Sequence, residues 1–259
     1  MPGRKAASGN RALSAAIVIQ LGGVAAAVIS LFLVDSLFTL GDSLLGVASG
    51  VGMGAGLWAY YQGITRSSAS VVSPATAACA AVLPFIYSLI RGAEMSTLVV
   101  AAAVVAFVGV AIATVENTTS DAWLTGLGWG LLSGLCYGIG LSVLVDVGSA
   151  SGVWPVVTQR GSAAMILAAI ALINRAEVLP PEGFRTLGAA AGCLAGISSI
   201  LFLLGLQVDG PSAVVGRSMF PIFSIGVGHW FFAESVGRRE MVGVVVALAG
   251  IAGAISGTS

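Results

Sequence analysis

Charge is what this sequence has least of. Of 259 residues only 8% are charged, 11 Lys and Arg against 11 Asp and Glu, for a formal net charge of zero. A soluble domain needs a charged surface; 57% hydrophobic residues and a mean hydropathy of +1.02 place this chain in the bilayer-protein class instead. Balanced charge also removes the basic patch that holds a phosphate backbone, so no nucleic-acid partner is expected. Histidine occurs once, as His229 beside Trp230 near the end of an apolar run. There an interfacial role is simpler than a proton relay. A hydrolase built on Ser133 would need that histidine as its base, from a distant part of the chain and with no supporting motif, so no enzyme is expected. Cys79, Cys136 and Cys193 sit in separate apolar runs. Their spacing is not that of a metal site and their odd number does not build a disulfide framework, so neither metal nor cofactor is implied. No carboxylate lies deep in any apolar run, since Asp146, Asp209, Glu94 and Glu234 all fall at ends. Exchange of cations for protons through a mid-membrane acid therefore has no residue to run on, and a neutral, zwitterionic or anionic solute fits better.

What the chain does have is long apolar runs and glycine. About 20 apolar residues cross about 30 Å of hydrocarbon. Nine segments qualify: 12–34, 44–64, 69–90, 96–114, 122–145, 153–174, 186–207, 211–233 and 241–257. The first follows the basic stretch MPGRKAASGNR and is too long for the core of a cleavable signal. The expectation is an all-α integral membrane protein of nine transmembrane helices. Short connections make neighbours antiparallel, and the 36 glycines suit close helix contacts in lipid. Alternating ends collect Arg4, Lys5, Arg11, Arg66, Arg175, Arg185, Arg238 and Arg239 on one side, with only Arg91 on the other. The positive-inside rule then puts the N-terminus in the cytoplasm and the C-terminus outside, in a membrane expected to be the bacterial cytoplasmic one.

A weak internal repeat runs through the chain at a nearly constant offset. Gly46, Gly50 and Gly54 answer Gly188, Gly192 and Gly196; Gln20 answers Gln159, which makes Leu21 the mate of Arg160. Tyr61-Gln62-Gly63, Ser73-Pro74 and Gly92-Ala93-Glu94 answer Leu203-Leu204-Gly205, Ser212-Ala213 and Ala233-Glu234. Four helices in residues 1–115 thus match four of the five in 116–259, and the segment 122–145 has no partner ahead of residue 12. An odd number of helices per repeat inverts successive repeats in the membrane, giving two inverted repeats of 4 + 5 helices.

These features carry a resemblance: Pro221 within a small-residue helix, the Ala-Glu that ends that helix at Glu234, the Gly-Ala-Glu at Glu94, and the closing glycines Gly243, Gly250 and Gly253. The chain resembles the drug/metabolite transporter superfamily, specifically its EamA-type exporters and permeases, over nearly its whole length. The resemblance implies ten helices in two five-helix inverted repeats, of which the first helix is missing here. It implies alternating access for a small metabolite such as an amino acid or organic acid, with the pocket between the repeats. Two further departures stand. Ala81 occupies the first-half place of Pro221, with Pro74 and Pro84 displaced. Family members with ten helices commonly keep both termini in the cytoplasm. A non-transporting interaction subunit or a degenerate family member is the alternative. The expected partners are a solute and the bilayer, with homo-oligomerisation left open.

Candidate residues follow from depth and helical face. Arg217 lies some seven residues inside its run and shares a face with Pro221, Ser224 and Gly228. It is either an anion anchor or an arginine satisfied by helix-end carbonyls or snorkelling to the surface. Arg160 lies at similar depth; because helices at this place in the family often carry an arginine, it reads as a structural clamp, with Gln159 and Gln20 as cross-helix hydrogen bonders. Trp58 and Tyr61 are pocket or interfacial-belt aromatics. Ser133 and mid-span Tyr137 share a face with Trp129 and Gly140 on the unpaired helix, and in the family the corresponding helices line the cavity. Ser198, beside Ser199, lines the cavity or bonds backbone. The ladder Gly126, Gly130, Gly134 and Gly138 marks a close helix contact.

Overall fold

The computed structural model describes residues 2–67, 69–92, 96–114, 123–217 and 237–256. All regular structure among them is helical. Eight α-helices follow in order: α1 Pro2–Ser30, α2 Leu40–Arg66, α3 Ala69–Ile90, α4 Thr97–Thr114, α5 Trp123–Val143, α6 Trp154–Ile173, α7 Glu182–Arg217 and α8 Arg238–Ser256. Two 3-10 turns, Leu144–Asp146 and Ser149–Ser151, join α5 to α6. Six of these helices are long and apolar enough to cross a membrane: Ala12–Ser30, Leu40–Arg66, Val71–Ile90, Trp123–Asp146, Trp154–Ile173 and Glu182–Gly210. Thr97–Gly109 and Met241–Gly250 are shorter apolar helices. The architecture is that of an all-helical membrane protein.

One helix end differs in kind from the sequence reading. The first apolar run stops being helical at Ser30, and residues 31–39 form an apolar connection rather than the end of a span to Val34. The runs 186–207 and 211–233 are separate helices, as expected: within the stretch labelled α7 the backbone leaves helical geometry at Asp209 (φ −150°, ψ 93°), and two helices meet there at a kink. Residues 218–236, which hold most of the run 211–233, lie outside the described residues.

Local chemistry explains the ends. Pro155 sits in the first turn of α6, where its missing N–H costs nothing. Gly152 precedes it at φ +52°, and a Cβ there would fall on Ser36 Oγ. At the other end of α6, Arg175 adopts φ +51° and its N–H bonds the Leu172 carbonyl at 3.1 Å, a left-handed cap without glycine.

The helices pack in a closed series, α7 on α1, α1 on α6, α6 on α2, α2 on α5, α5 on α3 and α3 on α7, while α4 packs along α8. Glycine makes these contacts close. A Cβ on Gly134 would lie 2.5 Å from Cys79 Cβ, and one on Gly130 2.7 Å from Ala75 Cβ, so the α5 ladder is its seam with α3. Gly50 of α2 lies on Ser162 Oγ and the Gln159 carbonyl of α6, and Gly192 of α7 lies on the Ile19 carbonyl and Gly22 of α1. Gly54 approaches the Ala163 carbonyl and Ile166, while Gly196 approaches the Gly23 carbonyl and Ala26.

Candidate functional site

Among the described residues the buried charged side chain is Arg160, six residues into α6 and so about 9 Å along it. It is only 5% exposed. Its position follows from helix geometry: successive residues turn by about 100°, so Gln159 and Arg160 serve opposite neighbours of α6. Arg160 reaches past Gly23 of α1, where a Cβ would lie 3.1 Å from its Cδ. Nη1 donates to Gln20 Oε1 at 2.8 Å, and Nη2 donates to the Ala195 carbonyl at 2.6 Å and to Ser199 Oγ at 2.5 Å. One guanidinium therefore ties α6 to α1 and α7. A charge buried in apolar surroundings is tolerated only when its donors are met, and these acceptors are all neutral.

Gln159 turns the other way. Its Nε2 donates to Ser49 Oγ of α2 at 2.7 Å, while Oε1 is buried without a hydrogen-bond partner among the described residues. Ser162, one turn on, donates to the Val47 carbonyl of α2 at 3.0 Å. Gln20, Gln159 and Arg160 thus form one band of cross-helix bonds at the junction of α1, α2, α6 and α7. Ser49 and Ser199 are the residues of this band that the sequence reading passed over. A signal existed for both: Ser49 adjoins Gly50, and Ser199 continues the face of Gly192 and Gly196. Ser198, one residue earlier, is off that face and exposed.

The aromatic candidates gather on the neighbouring side of α2. Ser133 is fully buried and donates to the Gly56 carbonyl at 2.8 Å, binding α5 to α2. Tyr137 lies one turn along on the same seam, its ring where a Gly56 Cβ would meet it at 2.7 Å. Trp58 meets Trp129 edge-to-face, ring centroids 5.8 Å apart, and its Nε1 is buried without a partner. Arg66 caps the pair, its guanidinium 4.7 Å from the Trp129 ring centre. Tyr61 packs with Trp58 against the core of Leu13, Ile17 and Leu167. The structure therefore puts Ser133 and Tyr137 in the α2–α5 seam and packs Trp58 and Tyr61 of α2 against α1 and α6, with Trp58 also meeting Trp129 of α5. Arg217 closes α7; its side chain, and Pro221 and Ser224 altogether, lie outside the described residues.

One further cluster escaped the sequence reading. Asp146, after α5, accepts from Arg91 Nε at 2.7 Å and from Tyr87 Oη at 2.5 Å, both at the end of α3. It stands at the end of the bundle that also holds the α1–α2 connection, opposite Arg66 and Trp129.

No protein-family model and no curated protein matches the chain. A protein known from a crystal structure shares its architecture, with a TM-score of 0.73 over 98% of this chain and 92% of that one, at 13% sequence identity. That likeness shows the fold alone.

Proposed function

We propose that this protein is a carrier that moves a small neutral, zwitterionic or anionic solute by alternating access, with the path between two inverted halves, residues 1–115 and 116–259. The observation that carries this reading is an exchange of packing partners. The contact of α2 with α6 and the contact of α7 with α1 answer each other residue by residue. Gly50 lies on Gln159 and Ser162, and its counterpart Gly192 lies on Ile19 and Gly22. Ile19 and Gly22 stand as far ahead of Gln159 and Ser162 in the chain as Gln20 stands ahead of Arg160. Gly54 with Ala163 and Ile166, and Gly196 with Gly23 and Ala26, repeat the relation. At this register Arg160 answers Gln20, one place from the pairing read off the sequence. A two-fold that swaps halves also requires α1 to meet α6 and α4 to meet α8, as they do. Interleaved inverted repeats of this kind can rock about a central site.

Within the proposal, Trp58 and Tyr61 of α2 and Tyr137 of α5 face the solute's apolar part, Ser133 holds α5 against α2, and Arg217 holds the solute's acid group. Arg160 is the clamp about which the halves meet. The buried Trp58 Nε1 supports this placement, since it is a donor with no partner among the described residues. The test is flux of labelled amino acids and small organic acids into proteoliposomes, with Arg217→Leu alongside. Wild-type flux that falls at least tenfold in an equally well inserted Arg217→Leu protein supports the reading. Unchanged flux removes Arg217 from it.

A further inference from the structure

We infer that the connection between α1 and α2, residues 31–39, is a lipid-inserted wedge, its apolar side chains lying in the leaflet on its own side of the membrane. Phe32 is 86% and Leu33 80% exposed, and Leu37 and Phe38 are exposed too. An apolar patch of this kind facing water is costly and marks a surface with a partner. The occupant is fixed by continuity. Val28 and Ile29 at the end of α1 and Leu40, Leu44, Val47 and Val51, spaced along one face of α2, are exposed as well, so exposed apolar residues continue from one membrane-crossing helix over the connection to the next. The crossing part of α1, Ala12–Ser30, has 19 residues, about 28 Å at 1.5 Å per residue, nearly the full hydrocarbon thickness of about 30 Å. Phe32 and Leu33 therefore begin at the boundary between acyl chains and headgroups.

The backbone is prepared for that layer. Non-helical backbone survives among acyl chains only when the protein itself meets its polar groups. The N–H groups of Leu31, Phe32, Leu33 and Val34 bond carbonyls of residues 27–30, and Leu37 N–H bonds the Ala150 carbonyl at 2.9 Å. Ser36 Oγ donates to the Val34 carbonyl at 2.8 Å and accepts the Val153 N–H at 3.1 Å. Phe38 stands edge-on to Trp154, centroids 5.2 Å apart; the indole is an amphipathic ring of the type that anchors at the interface. Asp35, the one charge of the segment, is exposed at its turn, where headgroups and water reach it. An open hollow of about 610 Å³ lies between this segment and Ala150.

The test places a nitroxide at Phe32→Cys, Leu33→Cys or Leu37→Cys, each alone, in full-length protein with its native cysteines replaced, reconstituted in phosphatidylcholine vesicles. Collision with oxygen is compared with collision with a water-soluble nickel chelate. The expected oxygen-to-nickel ratio is several-fold above that of a label at exposed Glu182 and close to that of a label at Leu44. A ratio like that of Glu182, or shielding from both reagents as under a protein partner or a second copy of the chain, overturns the inference. Any one position carries the test alone, so a variant that fails to insert leaves two others.

Discussion

Arg160 donates from Nη1 to Gln20 Oε1 at 2.8 Å, across 140 residues of chain. The same spacing relates the α1 residues under Gly192 to the α6 residues under Gly50. In the proposed repeat the bond therefore joins a charged and a neutral side chain at matching places.

This asymmetry sets the order of mutational effects. Gln20→Leu removes an acceptor and leaves the buried guanidinium short of a partner, which costs about 2–3 kcal/mol. Arg160→Met removes the charge with its bonds and leaves only neutral groups, at about 1–2 kcal/mol on the scale of interhelical bonds in membranes. The double variant is expected to be no less stable than Gln20→Leu alone. Reversible unfolding in mixed micelles measures all three; additive losses would show that the two side chains act independently.

The glycine contacts predict a matched pair. Gly50→Ala and Gly192→Ala each push a methyl into a helix backbone, and overpacking of this sort costs about 1–3 kcal/mol. Gly161→Ala and Gly128→Ala meet nothing within 4 Å, so the better helix propensity of alanine makes them neutral or more stable by up to about 1 kcal/mol. Thermal unfolding in detergent separates the two classes, and equal losses in all four would contradict the close-contact account.

How much of this was legible beforehand differs by feature. The apolar runs placed α3 at its observed ends, because some twenty apolar residues leave little choice of structure. The α5 glycine ladder announced a close helix contact, since its spacing keeps the glycines on one face, but not that the partner is α3. Gln20 and Gln159 look alike in sequence, whereas the contacts of Gly50 and Gly192 relate residues 140 apart, so the proposed repeat sets Gln20 against Arg160. Ser198 and Ser199 are adjacent and chemically identical; only the helical face of Gly192 and Gly196 distinguishes the buried one. The wedge at 31–39 was hidden because an apolar connection between two apolar helices has the composition of a helix. The pairing of Arg91 with Asp146 lies 55 residues apart, and no local pattern announces such a contact.

That pairing carries its own prediction. Arg91 is more than half exposed, so Arg91→Ala is expected to cost about 0.2–1 kcal/mol, with the loss shrinking as salt is raised. Asp146→Ala releases both Arg91 and Tyr87 and costs more, with a remainder that salt does not remove. Unfolding at low and high ionic strength distinguishes the two contributions; identical effects of both variants would leave Tyr87 without a role.

The proposed carrier rests on one behaviour, a site that opens to one side at a time. The direct measurement is exchange in proteoliposomes preloaded with a labelled solute that the protein is found to transport. Adding the unlabelled solute outside is predicted to accelerate release of label several-fold over release into solute-free buffer, because the loaded carrier returns faster than the empty one. Release at the same rate with and without external solute, or no flux of any solute in a panel of amino acids and organic acids by correctly inserted protein, would contradict it.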